Sequence, residues 1–154
     1  LKYLLILAVI VSLLFGCRKD EGEVVTEVPL GSAALDLNGS LYPIEYTEVV
    51  RSNVSGKVYL HVIISGTDRS QVRISGLELR PKTYRIIDDT YLSYQGSTGI
   101  SYQTRGGELR ITDVKYDETN KYSITGSFRF RAESIVAADS AVIENGFLNA
   151  LRER

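Results

Sequence analysis

Two stretches of this chain alternate apolar and polar residues with a period of two, and nothing else in the sequence constrains its fold as strongly. From Lys57 to Ser65, Val58, Leu60, Val62 and Ile64 fall on one face and Tyr59, His61 and Ile63 on the other. A helix would scatter those four aliphatic residues around its circumference, whereas a strand lines them up against a core. Ser123 to Ala132 repeats the pattern. Ile124, Phe128, Phe130 and Ala132 point one way, and Thr125, Ser127, Arg129 and Arg131 the other. Gly126 falls on the inward face, where a missing side chain suits a bulge or the close crossing of a partner sheet.

Shorter runs of the same kind predict strands at Ala33–Leu37, Ile44–Arg51, Gln71–Ile74, Leu77–Leu79, Thr83–Ile87, Gly99–Gln103, Glu108–Val114 and Ala141–Glu144. Turn residues separate them. Asn38-Gly39 lies between two β-like runs, and Asp117-Glu118-Thr119-Asn120 reads as the loop of a hairpin. No stretch of this region carries a helical stripe. Glu133–Ser140 is the best candidate for a helical turn or loop, and Leu148–Arg154 for a frayed end or last turn. Ten strand-sized runs admit two closures, and the small inward residues favour an antiparallel β-sandwich over a small β-barrel.

The amino-terminal segment is of another kind. Lys2 precedes 12 residues, Leu4–Phe15, broken only by Ser12. A membrane-spanning helix needs about 20 apolar residues, and the hydrophobic region of an export signal about 7–15. Leu14-Phe15-Gly16 then leads into Cys17, the only cysteine, and Arg18-Lys19-Asp20-Glu21 ends the apolar run. This arrangement resembles the lipobox of bacterial lipoproteins, which implies cleavage before Cys17 and attachment of diacylglycerol and an N-acyl chain to it. Each buried CH₂ contributes roughly 0.8 kcal/mol, so two or more chains anchor stably. The expected organisation is a signal peptide over 1–16, a lipidated cysteine and acidic tether over 17–31, and an antiparallel β domain over 32–154. Val24 to Val28 could alternatively form an edge strand. Arg18-Lys19-Asp20-Glu21 also resembles the export tag behind the cysteine in lipoproteins of Bacteroidetes-type bacteria. That implies an outer-membrane, surface-exposed protein, with the periplasmic leaflet as the alternative.

Three pieces of the β region carry a further resemblance. They are Ala34-Leu35-Asp36-Leu37-Asn38-Gly39; Gly107-Glu108-Leu109-Arg110-Ile111-Thr112 with Ile124-Thr125-Gly126-Ser127-Phe128-Arg129-Phe130; and Val142-Ile143-Glu144-Asn145-Gly146-Phe147. Together with the lipobox they make the chain similar to small single-domain lipoproteins of Bacteroidetes-type bacteria whose domain has no established function. Those relatives often place a tryptophan near Leu41-Tyr42, and this chain has none. The resemblance supplies no catalytic residues.

Charge and composition narrow the function. A formal net charge of −1 lacks the basic footprint that nucleic acid requires. His61 is the only histidine and sits mid-strand, so the expectation is a structural role and no zinc site. Asp113, Asp117, Glu118 and Asn120, and the pair Asp88-Asp89, are the acidic clusters that calcium would use, but neither has a calcium-loop spacing. Ten tyrosines and no tryptophan are the surplus. Tyr91, Tyr94 and Tyr102 bracket a polar segment, with Asp89, Gln95, Gln103 and Arg105 nearby. Amphipathic rings with such neighbours suit a protein or glycan surface. The expectation is a membrane-anchored, non-catalytic envelope lipoprotein with a structural or protein- or glycan-binding role and no cofactor beyond its acyl chains. The alternative is a small envelope enzyme acting on polysaccharide through paired carboxylates.

Overall fold

A computed structural model describes residues 28–87 and 90–154. Cys17, the apolar run before it and the pair Asp88-Asp89 lie outside the described residues. Ten strands follow in order: β1 (Ser32–Leu37), β2 (Ser40–Leu41), β3 (Ile44–Val54), β4 (Lys57–Gly66), β5 (Gln71–Glu78), β6 (Lys82–Ile86), β7 (Leu92–Gln95), β8 (Ser101–Tyr116), β9 (Tyr122–Ser134) and β10 (Ser140–Arg152). No described residue is helical. All strands join one antiparallel sheet in the order β2-β1-β10-β9-β8-β7-β5-β4-β3. β6 and β7 lie end to end along one side of β8, β7 at Ser101–Tyr102 and β6 at Gly107–Ile111.

The expected all-β antiparallel architecture is present, and its closure is a half-barrel made by one curled sheet. Long strands and bulges explain the curl. β8, β9 and β10 span 16, 13 and 13 residues, and their ladders shift register at Thr104/Gly106, Ile111/Asp113, Ile143/Gly146 and Leu148/Leu151. Each bulge adds local twist, which bends a long strand over the core. Gly126 permits a close approach of β9 to β8. A Cβ there would lie 2.5 Å from the Arg110 carbonyl oxygen of β8.

The inward faces form one core. Leu60, Val62 and Ile64 of β4 and Ile124, Phe128, Phe130 and Ala132 of β9 are all buried there, as the alternation requires. Tyr42 is buried too, and its hydroxyl donates to the Ser70 carbonyl oxygen at 2.9 Å. Asn38-Gly39 makes the two-residue β1–β2 turn with φ of 52° and 77°, and Ser55-Gly56 repeats that geometry between β3 and β4.

Several boundaries differ from the sequence expectation. Gln71–Ile74 and Leu77–Leu79 merge into β5, and Gly99–Gln103 and Glu108–Val114 into β8. Glu133–Ser140 is a hairpin turn without helix, and Leu148–Arg152 continues β10 as strand. The register also defines two ends. Turns 55–56 and 117–121 gather at one, with Glu153 and Arg154; turns 67–70, 96–100 and 135–139 gather at the other.

Candidate functional site

β7 and the start of β8 position the tyrosines. Strand alternation turns Leu92 and Tyr94 inward, and Tyr94 pairs with Tyr102 across the ladder. Their rings lie 5.0 Å apart at 57°. Tyr94 is only 7 % exposed, so its ring is part of the core. The Tyr102 hydroxyl donates to the Asp139 carboxylate at 2.6 Å. That bond, with burial and the Asp139 charge behind it, pushes the phenol up to about 12. Tyr91 belongs elsewhere, stacked on Tyr84 at 4.9 Å and lying over Gly76. Gln95 donates to the Gly99 carbonyl of its own loop at 3.0 Å. Arg105 is exposed and pairs with Glu133 at 2.9 Å. The structure thus brings Tyr94 and Tyr102 together and places Tyr91 and Arg105 apart from them. Five residues close in sequence do not share one face.

The acidic hairpin is occupied by its own turn. Asp117 accepts from the Thr119 hydroxyl at 2.6 Å and the Thr119 amide at 2.8 Å, and pairs with Arg152 at 2.6 Å. The Thr119 hydroxyl is the largest influence lowering its carboxyl to about 2, with the Lys121 and Thr119 amides and the Arg152 charge adding to it. Asp113 pairs with Lys115, and Asn120 Oδ1 accepts from the Tyr116 hydroxyl. Glu118 is exposed. Among the described residues, no three His, Cys, Asp or Glu side chains are grouped to hold a metal ion.

His61 is held by two partners on the outer face of β4. Its Nδ1 accepts the Gly76 amide at 3.4 Å, and its Nε2 lies 2.7 Å from Ser52 Oγ. A backbone amide can only donate, so the neutral ring carries its proton on Nε2 and donates to Ser52. Ser52 therefore faces a donor, the reverse of the arrangement that activates a serine nucleophile.

The most elaborate polar network is one that sequence reasoning missed. Curling brings β3 against the end of β10, where Val49 bridges Glu153 in parallel and the Arg154 amide donates to the Val49 carbonyl at 3.4 Å. Arg51 grips Glu153 through two bonds of 2.7 and 3.0 Å and donates to the Asn120 carbonyl at 3.0 Å. Its guanidinium lies 5.3 Å from the Tyr122 ring, which stacks on Tyr116. Burial raises the Glu153 carboxyl, but the Arg51 bond, the Tyr122 amide and neighbouring cations outweigh it and hold the group below its ordinary value. An open groove of about 440 Å³ flanks this seam, lined by Glu48 to Asn53, Glu153 and Arg154. The available sequence signal was the inward phase shared by Leu151 and Glu153.

The opposite end has a different surface. Ile135 and Val136, 68 % and 69 % exposed, project with Ala137 and Ala138 from the β9–β10 turn. The turn is held from below: Ser134 Oγ accepts the Val136 and Ala137 amides, and Asp139 takes the Tyr102 hydroxyl and the Ser140 amide. Four apolar residues are fixed in shape and left in solvent.

An antiparallel half-barrel with an ion-paired seam and an exposed apolar tip is the class of domain this chain forms. The chain belongs to the family defined by DUF6252, a domain of unknown function, whose model matches residues 45–151. The match opens in β3 and closes in β10, so it contains the core ladder and leaves out β1 and β2. No curated protein and no solved structure matches the chain.

Proposed function

We propose that this protein is a lipid-anchored lipoprotein of the bacterial outer membrane, surface-exposed, whose β domain binds an envelope protein without catalysing a reaction. The supporting observation is the opposition of its two ends. The chain enters from the side of Cys17 at Val28, whose carbonyl accepts from the Asn149 amide side chain. Asn149 and Ser140 lie nine residues apart on β10, about 30 Å at the rise of a strand. An anchor on Cys17 therefore joins the domain at one end and leaves the Ile135–Ala138 tip at the other.

Burying an isoleucine and a valine contributes about 1.5–3 kcal/mol each. That suits a modest contact between proteins already confined to one membrane, where effective concentration is high. A glycan platform has less support, because the Tyr94 ring lies in the core and Tyr91 and Tyr102 are half-buried against it, each packed on a different buried tyrosine.

The test is a photo-crosslinking residue at Val136 in cells making the full chain, with a second at Glu118 on the opposite end. A discrete protein adduct from position 136 that disappears with Ile135→Ser is the expected result. No adduct from 136, or equal adducts from both positions, would overturn the reading.

A further inference from the structure

We propose that the outer face of β6, β8 and β9 binds an acidic polysaccharide, whose carboxylates meet Arg85, Arg110 and Arg129 and whose hydroxyls meet Glu108. The ladders set these side chains together. Arg85 of β6 pairs with Glu108 of β8, which pairs with Arg129 of β9. Two residues along β8, Arg110 pairs with Thr83 and Ser127, and Ser127 pairs with Phe147 of β10. Residues directly opposite in a ladder share a face, and the intervening row of Tyr84, Leu109 and Phe128 is buried, so both rows point outward. Arg85, Glu108, Arg110 and Arg129 are all exposed.

Charge is out of balance on this face. A glutamate between arginines supports a ladder, but here one carboxylate faces three guanidinium groups. Beside them Arg105 and Arg131 share the single carboxylate of Glu133, at 2.9 and 3.6 Å. Five arginines and two glutamates therefore stand together on a chain whose formal net charge is −1. The excess ends at Asp113, which pairs with Lys115 at 3.1 Å, and at exposed Glu144 on β10. A local excess of this kind draws an anion to one face of a molecule that is near neutral as a whole.

Spacing and chemistry select the partner. Arg110 and Arg129 are diagonal neighbours, about 7–8 Å apart, and Arg85 and Arg129 lie two strand spacings apart, about 10 Å. Cations so spaced on the outside of a curled sheet suit a chain laid across the strands better than one small ion. The planar fork of arginine matches a carboxylate through two parallel bonds. Glu108 stands among the arginines as an acceptor, so the partner must bring it a donor. A uronic-acid chain carries hydroxyl donors beside every carboxylate, whereas a phosphate chain without hydroxyls would be repelled by Glu108. The Phe147 ring, 46 % exposed at the end of the second row, gives the C–H face of a sugar ring an apolar surface to pack on. The face lies along the middle of β8, apart from the Ile135–Ala138 tip.

The experiment measures binding of the full chain, in a neutral detergent, to polygalacturonate and to polyphosphate of matched charge at low ionic strength. Polygalacturonate should bind at least about tenfold more tightly than polyphosphate, and added salt should weaken it. Arg110→Glu and Arg129→Glu, made separately and together, should each weaken that binding at least about tenfold, with the melting temperature unchanged. Arg73→Glu, at an exposed position of β5, should leave it within about twofold, and Ile135→Ser should not change it. Glu108→Gln should narrow the preference for polygalacturonate over polyphosphate. Three results would each overturn the proposal: no binding of polygalacturonate, an equal loss in Arg73→Glu, or polyphosphate bound as tightly. The last would assign the face to the phosphates of a lipid or a nucleic acid.

Discussion

The two ends of this half-barrel treat their side chains in opposite ways. At the seam end, charged residues are consumed internally: Arg51 by Glu153 and Asn120, and Arg152 by Asp117. At the tip end, a hydrogen-bonded turn holds up Ile135 and Val136 without covering them. A charged network at a chain closure is what folding needs where a ladder is too short to close itself. A rigid apolar tip gives the fold nothing in isolation. The difference gives one end a role in stability and is the ground on which recognition is proposed for the other.

A core substitution sets the scale against which both ends are read. Phe128→Ala removes a buried ring in β9 that packs against Gly146, and should cost about 3–5 kcal/mol by chemical denaturation. Glu153→Ala should come next, at about 2–3 kcal/mol, because it strips a charge-assisted pair and leaves the Tyr122 amide without its acceptor. A cost near zero would erase the distinction between the ends.

The ends should also fail at opposite extremes of pH. Glu153 titrates below its ordinary 4.5 in the folded protein, so the unfolded chain takes up the proton first as pH falls. Its contribution is full above 4.5 and is lost as pH drops through the folded value. Tyr102 has the reverse sign. The unfolded phenol ionises near 10 while the folded one holds its proton to about 12, so stability falls as pH rises between them. Hydrogen exchange should show residues 48–54 opening first in acid and 134–140 first in alkali. Ile135→Ser should be the mildest, within about 0.5 kcal/mol of the parent, yet it should abolish crosslinking from position 136.

Legibility in the sequence followed the bulges. β4 and β9 were readable because their burial phase runs unbroken through the core residues of each strand. β10 was read only to Glu144 because its phase flips at Asn145 and again at Ala150, both with positive φ, of 48° and 50°. β8 was split in two for the same reason, by the bulge near Arg105. The seam was invisible for another cause: Arg51 and Glu153 are 102 positions apart, and only the curl of the sheet joins them. The tyrosines mislead in the opposite direction. Tyr91, Tyr94 and Tyr102 are close in the chain, but alternation and register send one into the core and another to Tyr84.

The account turns on one end of the domain being fastened to a membrane. Intact-mass and peptide analysis of the protein recovered from membranes tests that directly. A mature chain beginning at Cys17 and carrying diacylglycerol and an N-acyl chain is the predicted result. A free Cys17 thiol, with residues 1–16 still attached or the protein recovered in the soluble fraction, would contradict it.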